Sequence, residues 1–289
     1  MAPRRAGWAA SLTRKIEGLP LGFADAPLQA VATWATSLRA GGVRADRILH
    51  GTFLGHPLHP ALSDLPIGFW TSSVVCDLTG QPDAAGVLTA AGAVSSAATA
   101  LTGAADWSTT IDRDRRLGLA HGLLNLATLG VELGSLAARV AGRRGLARTL
   151  NVAGLTAGGV SAWIGGELVS SRAIGVDATA HLQGPEEWTP IMSEADLAIG
   201  ATRGADVAGR RVLVHRTADT VVAIENTCAH AGGPLDEGEI GDGTVTCPWH
   251  GSCFRLSDGA VLSGPSAFPQ PVLEARLAGG RIEVRVPAG

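Results

Sequence analysis

The stretch from Ala84 to Ala105 (AAGVLTAAGAVSSAATALTGAA) runs for 22 residues without a charge. As a helix it would be about 33 Å long, enough to cross a hydrocarbon core of roughly 30 Å. In lipid every backbone polar group must be satisfied within the segment or by a closed barrel, so a run of this kind has to be helical. Two comparable runs follow. One lies between Arg116 and Arg139, broken only by His121 and Glu132, and the other between Arg148 and Glu167. A further span is expected between His59 and Thr79, where Pro60, Asp64 and Pro66 predict an irregular or kinked start. The connections are short, which suits antiparallel neighbours in a four-helix bundle. Small-residue faces such as Gly92 with Ser96 allow close backbone approach. A soluble all-α domain with Ala-rich buried helices is the competing reading, and four such stretches in succession weigh against it.

Charged residues are only 17% of the chain and the net charge is −3, so there is no electrostatic footprint for nucleic acid. Positive mean hydropathy (+0.22) excludes a disordered chain. The excess of Arg near the spans sets an expected orientation. One side collects Arg39, Arg44, Arg47, Arg113, Arg115, Arg116 and Arg172, against Arg139, Arg143, Arg144 and Arg148 on the other. That places both termini in the cytoplasm, and no cleavable signal is evident in the basic first twenty residues. Leu28, Val31, Ala35 and Leu38 fall at helical spacing beside Trp34, predicting a short interfacial or surface helix over Pro27–Leu38.

Beyond about Glu187 the pattern changes to short β-branched segments: RRVLVHR, TVVAIEN, GTVTCPW, GAVLSG and RIEVRV. Turn signals at Asp242-Gly243, Asp258-Gly259 and Gly279-Gly280 separate them and predict a small antiparallel β domain. The organisation expected is therefore an N-terminal amphipathic segment (1–55), a four-helix transmembrane domain (56–174), a linker (175–186) and a β domain (187–289).

Four cysteines are too few for a disulfide scaffold. Three of them, Cys228, Cys247 and Cys253, cluster near the C-terminus, with Cys76 in the first span. Cys228-Ala-His230 and Cys247-Pro-Trp-His250 stand 16 residues apart, each supplying one thiolate and one imidazole. Two thiolates and two imidazoles suit a two-iron, two-sulfide cluster with both Cys on one iron and both His on the other. The same atoms could hold zinc tetrahedrally, although zinc sites more often pair two Cys in one loop and two His in another.

The runs CAHAGGPLDEGEI and CPWHGSCFRLSDG resemble the two cluster-binding loops of Rieske iron-sulfur domains, and Gly264-Pro265-Ser266 resembles the proline loop of that family. The resemblance covers residues 187 to 287. It implies one [2Fe–2S] cluster per chain, with Cys228 and Cys247 on the buried iron and His230 and His250 on the outer, electron-exchanging one. High-potential members of the family carry an extra Cys pair and Ser and Tyr donors to the cluster. Here the matching positions hold Gly233 and Trp249, Ser252 is kept, and Phe254 replaces the Tyr. Loss of one hydroxyl donor predicts a low-to-intermediate potential. Cys253 is expected to be a buried structural thiol.

The segment Gly55-His56-Pro57-Leu58-His59-Pro60, followed by SDLPIGFW, resembles the opening signature of an uncharacterised family of four-helix bacterial membrane domains, and WIGGELV (163–169) resembles the end of its fourth helix. His121, Asn125 and Glu132 fall on one face of their span and are expected to point into the bundle. Three readings stand: these groups cap helices and hydrogen-bond between them, imidazoles from two helices ligate a haem b, or the groups handle quinone or protons.

The fold class expected is thus an all-α four-helix transmembrane bundle followed by an all-β Rieske domain. The function expected is one-electron transfer at the membrane between a reductase and an oxygenase or haem partner. Alternatives are an integral quinol or haem oxidoreductase module and a cluster-based redox sensor. A terminal oxygenase is not expected, because the roughly 39 residues after His250 contain no His for a two-His, one-carboxylate iron site.

Overall fold

The computed structural model describes residues 7–40 and 43–287. The start of the basic N-terminal segment, with Arg4 and Arg5, lies outside the described residues, as do the side chains of Arg39 and Arg44. Two compact units are present: Met1–His50 with Pro57–Ile174, and Gly51–His56 with Gly175–Gly289.

The first unit is helical. Helices α1 (Trp8–Glu17), α2 (Asp25–Ser37) and α3 (Ala45–Leu49) precede four longer ones: α4 (Leu58–Leu78), α5 (Pro82–Ser108), α6 (Asp112–Val140) and α7 (Arg144–Arg172). The last three are long and apolar enough to cross a membrane by length and composition. The shorter α4 stands where the first span was expected and runs unbroken through Pro66. The proline ring removes the amide that would bond the Leu62 carbonyl, and Thr99 Oγ1 of α5 donates to that carbonyl instead, at 3.2 Å. The N-terminal helices pack onto the bundle, α1 on α6 and α2 on α5. They are fastened by the Trp8–Trp163 stack at 5.8 Å, by Arg115 on Asp25 at 2.8 Å and by Arg172 on Glu17 at 2.5 Å.

The hairpins α4–α5 and α6–α7 are two copies of one design. The step between equivalent residues is 62, the separation of Asp77 from Arg139. Ser73 Oγ donates to Ala85 O and Ser135 Oγ to Ala147 O, each 12 residues on at 2.8 Å. The helix ends match as well. Gly80 and Gly142 both take φ near +75° (78° and 72°), and the following amides close the same turn, Gln81 onto Cys76 and Arg143 onto Ala138, at 2.8 Å. Gly92 packs under Trp70 and Gly154 under Glu132, where a Cβ would stand 2.3 Å from the side chain in both cases. Asp77 and Arg139 are equivalent residues that form an ion pair with each other. A local two-fold axis therefore passes between them.

The second unit is all-β. A six-stranded antiparallel sheet is built from β1 (Thr189–Ser193), β2 (Thr202–Val207), β3 (Arg210–Arg216), β4 (Val221–Glu225), β9 (Val272–Ala278) and β10 (Arg281–Arg285), in the order β1-β10-β9-β4-β3-β2. A four-stranded sheet holds β5 (Glu239–Gly241), β6 (Thr244–Thr246), β7 (Cys253–Arg255) and β8 (Val261–Ser263), in the order β8-β7-β6-β5. Period-two alternation gives the large sheet two apolar faces. Val212 and Val214 face a core with Val221, Leu273 and Ile282. Leu213 and Ile224 face a second core with Val245, Phe254, Cys228 and Cys247. The segment expected as a linker is tied into this unit, since the Ala178 amide donates to Ala229 O at 3.0 Å.

Candidate metal centre

Two loops of near-identical build carry the candidate ligands. In each, the cysteine amide donates to a carbonyl five residues on, Cys228 to Gly233 and Cys247 to Ser252, both at 2.8 Å. A glycine amide closes back onto the cysteine carbonyl, Gly232 on Cys228 and Gly251 on Cys247. These glycines take φ of 79° and 73°, the left-handed region that favours glycine. The turn directs backbone amides at sulfur: those of His230 and Ala231 at Cys228, and those of Trp249 and His250 at Cys247.

The four residues singled out from the sequence come together as two pairs, one of cysteines and one of histidines. Cys228 and Cys247 are buried and share a thiol–thiol hydrogen bond. That bond pushes Cys228 above the usual thiol range, with burial adding to it. It holds Cys247 down at about 6, helped by the two amides and opposed by burial. His230 and His250 stand edge to face with ring centroids 5.0 Å apart, both half-exposed. Burial lowers the pKa of His250, keeping its imidazole neutral and able to ligate. The donors form two pairs, soft sulfur inside and nitrogen at the rim. Among the described residues no three His, Cys, Asp or Glu side chains converge as a single-metal site requires. A binuclear centre with two protein donors per metal suits this division better than tetrahedral zinc.

Gly264-Pro265-Ser266 lies against the second loop. Gly264 has φ 91°, and a Cβ there would stand 2.6 Å from Gly251 O and Ser252 Cα. Gly233 and Trp249 face each other, a Cβ at 233 falling 3.0 Å from the indole. Phe254 is fully buried, while Cys253 and Cys76 are half-buried free thiols.

The supports of the first loop carry no local signature in the sequence. Gln270 is buried; its Oε1 accepts the Ala229 amide at 3.0 Å, and its Nε2 donates to Glu225 O and Thr227 O, each at 2.7 Å. Glu225, fully buried, accepts from Arg210 at 2.6 Å and from the Thr227 amide at 2.9 Å.

His59 and His121 belong to the helical unit. His59 sits at the start of α4 and His121 in α6, where Asn125 donates to its Nε2 at 3.1 Å. Glu132 is fully buried in the bundle, as its helical face implies. His56 is exposed and belongs to the second unit.

Residues 187–274 match the Rieske [2Fe-2S] domain and residues 55–178 the predicted membrane protein family DUF2231. The chain is 31% identical over 98 residues to ferredoxin CarAc of Metapseudomonas resinovorans, covering 34% of this chain and 92% of that one. It is 33% identical over 101 residues to the anthranilate 1,2-dioxygenase ferredoxin subunit of Burkholderia cepacia, covering 35% and 93%. Among solved structures, the ferredoxin of carbazole 1,9a-dioxygenase from Nocardioides aromaticivorans IC177 aligns with 29% identity and a TM-score of 0.34, over 35% of this chain and all of that one. With its family match, its ferredoxin relatives and its paired donors, this chain belongs to the Rieske [2Fe–2S] family, its ferredoxin-like electron-transfer domain following a predicted membrane domain.

Proposed function

We propose that this chain is a membrane-anchored electron carrier. In this reading Cys228 and Cys247 hold one iron of a single [2Fe–2S] cluster and His230 and His250 the other. The chain then takes single electrons from a reductase and delivers them to an oxygenase or a haem protein. The observation that carries the reading is the convergence of two mixed loops into one sulfur pair and one nitrogen pair. When bound, the cluster supplies a one-electron couple.

The protein contributes an asymmetric surround. Loop amides directed at the sulfurs stabilise negative charge there. The imidazole rim leaves one edge open to a partner, and Trp249, 57% exposed, stands beside His250 at that edge. Two relatives named as ferredoxins, one of them a dioxygenase subunit, support an oxygenase as the acceptor. The charge balance of the loops in the sequence supports a cytoplasmic position for both termini.

The test is EPR of anaerobically purified, dithionite-reduced protein. A rhombic spectrum of mixed nitrogen and sulfur ligation is expected, and it should disappear in Cys228→Ser and His250→Ala. A wild-type protein without that spectrum would overturn the assignment. Electron delivery is then measured by stopped-flow oxidation of the reduced protein on mixing with a Rieske-type oxygenase.

A further inference from the structure

The helical unit carries a second pair of imidazoles. His59 and His121 are equivalent residues of the two hairpins, and like Asp77 and Arg139 they meet each other across the local axis, with ring centroids 6.3 Å apart and planes at 88°. His59 Nδ1 lies 3.0 Å from Thr99 O and His121 Nδ1 lies 2.9 Å from Ser161 O, each partner 40 residues on. A carbonyl only accepts, so Nδ1 carries the proton in both rings and Nε2 presents its lone pair. This is how histidines that bind metals are oriented. The amide of Asn125 donates to His121 Nε2, which marks the lone pair and must turn aside for a ligand.

Space for both rings depends on glycine. A Cβ at Gly103 would stand 2.7 Å from His59 Cε1, and one at the equivalent Gly165 3.1 Å from His121 Cε1. Elsewhere along the axis the halves have diverged, with Trp70 against Glu132, Thr89 against Asn151 and Asp77 against Arg139. The histidine, its carbonyl partner and the glycine are present in both. With metal–nitrogen bonds of about 2.0–2.1 Å and a ring nitrogen about 1.1 Å from the ring centre, two imidazoles across one metal have centroids about 6.3 Å apart.

We propose that His59 and His121 are the two protein ligands of a transition-metal centre in the membrane domain, separate from the iron-sulfur site. The shared chemistry is a metal that accepts two neutral imidazoles. A haem iron brings its own four nitrogen ligands, whereas a bare ion needs further ligands beyond the two imidazoles.

The test uses the full chain in detergent, with Cys228→Ser and Cys247→Ser removing the cluster ligands so that remaining metal reports the helical unit. Parallel samples receive haemin, Fe(II), Zn(II) or Cu(II), and bound metal is counted by mass spectrometry after desalting. One equivalent per chain is expected in at least one arm, abolished by His59→Ala and by His121→Ala. Iron with a Soret band identifies haem as the source; metal without one identifies a bare ion. Where a histidine variant does not accumulate, pulsed EPR of the loaded double-serine chain decides, reading nitrogen couplings of two imidazoles from Cu(II), from oxidised haem, from nitric-oxide-treated Fe(II), or from Co(II) put in place of Zn(II). No metal in any arm, metal indifferent to both substitutions, or metal without imidazole hyperfine overturns the proposal. The cluster spectrum of the wild-type chain is read separately, so neither assignment stands or falls with the other.

Discussion

Ser252 Oγ accepts the backbone amide of Ser266 at 3.1 Å, fastening the second ligand loop to the proline loop, with both residues fully buried. The hydroxyl uses a lone pair in this bond, which leaves its proton free for a cluster sulfur, the role that the resemblance to high-potential Rieske domains implies for this position. Ser252→Ala should therefore act twice. It leaves a buried amide unsatisfied, which costs about 1–3 kcal/mol, and it removes a donor that stabilises the reduced cluster, lowering the potential. Thermal loss of cluster absorbance and a redox titration measure the two effects independently.

Gly264 combines a φ of 91° with a backbone neighbour where a Cβ would go. Gly279 has positive φ (58°) and open space around it. Gly279→Ala should cost about 1–2 kcal/mol, the strain of the left-handed conformation alone. Gly264→Ala must also push the proline loop off Gly251 and Ser252, and it is expected to yield protein with reduced cluster content. Comparing the iron-to-protein ratio of the two variants checks this.

The Asp77–Arg139 pair is bidentate, at 3.0 and 2.6 Å, and both side chains are at least 90% buried. Breaking it with Asp77→Asn or Arg139→Gln should cost about 3–5 kcal/mol, because one charge is left alone inside the bundle. The two residues occupy equivalent places in the repeated hairpins, so the exchange Asp77→Arg with Arg139→Asp puts each charge in a matching backbone setting. Thermal unfolding followed by helical circular dichroism should show the exchange recovering most of either single loss. An exchange no better than the singles would mean that the surroundings of the axis, Glu132 and Asn151 among them, are too unequal to accept it.

Much of this was legible from local spacing. The uncharged runs became α5, α6 and α7, and the helix expected over Pro27–Leu38 forms at Asp25–Ser37. The strand expected at Arg210–Arg216 forms over those residues, and the one expected over 281–286 forms at Arg281–Arg285, with Gly279 and Gly280 in the turn before it. The candidate ligands were visible because a Cys and a His two or three residues apart must share a loop. Gln270 was not, since the amide it receives is 41 residues away and no periodicity links them. The strands Thr202–Val207 and Val272–Ala278 are less regular in pattern and pair through long-range contacts that no short window contains. The 62-residue repeat is written in the sequence, yet the residues both halves keep are chiefly Gly, Ala, Ser and Leu. These recur throughout a membrane helix for packing reasons, and only matching hydrogen bonds separate the repeat from that background.

Acid sensitivity of the β unit should have one source in His215. Its Nδ1 lies 2.9 Å from Thr202 Oγ1, and burial holds its pKa below the ordinary 6.5. The folded state thus binds a proton less readily than the unfolded chain, so stability rises with pH across the interval between the lowered value and 6.5. Stability is fully present above 6.5 and is lost as pH falls through that interval. Melting temperatures between pH 7.5 and 5 should fall for the wild type and flatten in His215→Gln; an unchanged slope would place the acid sensitivity elsewhere.

Phe254 is fully buried, paired in register with Val245 and Val261, and packs in the core that holds Cys228 and Cys247. Phe254→Tyr restores the hydroxyl whose loss the sequence comparison with high-potential relatives implies. A donor near the cluster stabilises the reduced form, so the potential should rise within the roughly −150 to +300 mV range of such centres. Placing the extra oxygen in a packed core costs about 1–3 kcal/mol, so the melting temperature should fall. Ser252→Ala lowers stability too but moves the potential the other way, and the pair of variants separates donor count from loosened packing. If both variants shifted the potential in the same direction, loop rigidity rather than hydroxyl donation would be what tunes this centre.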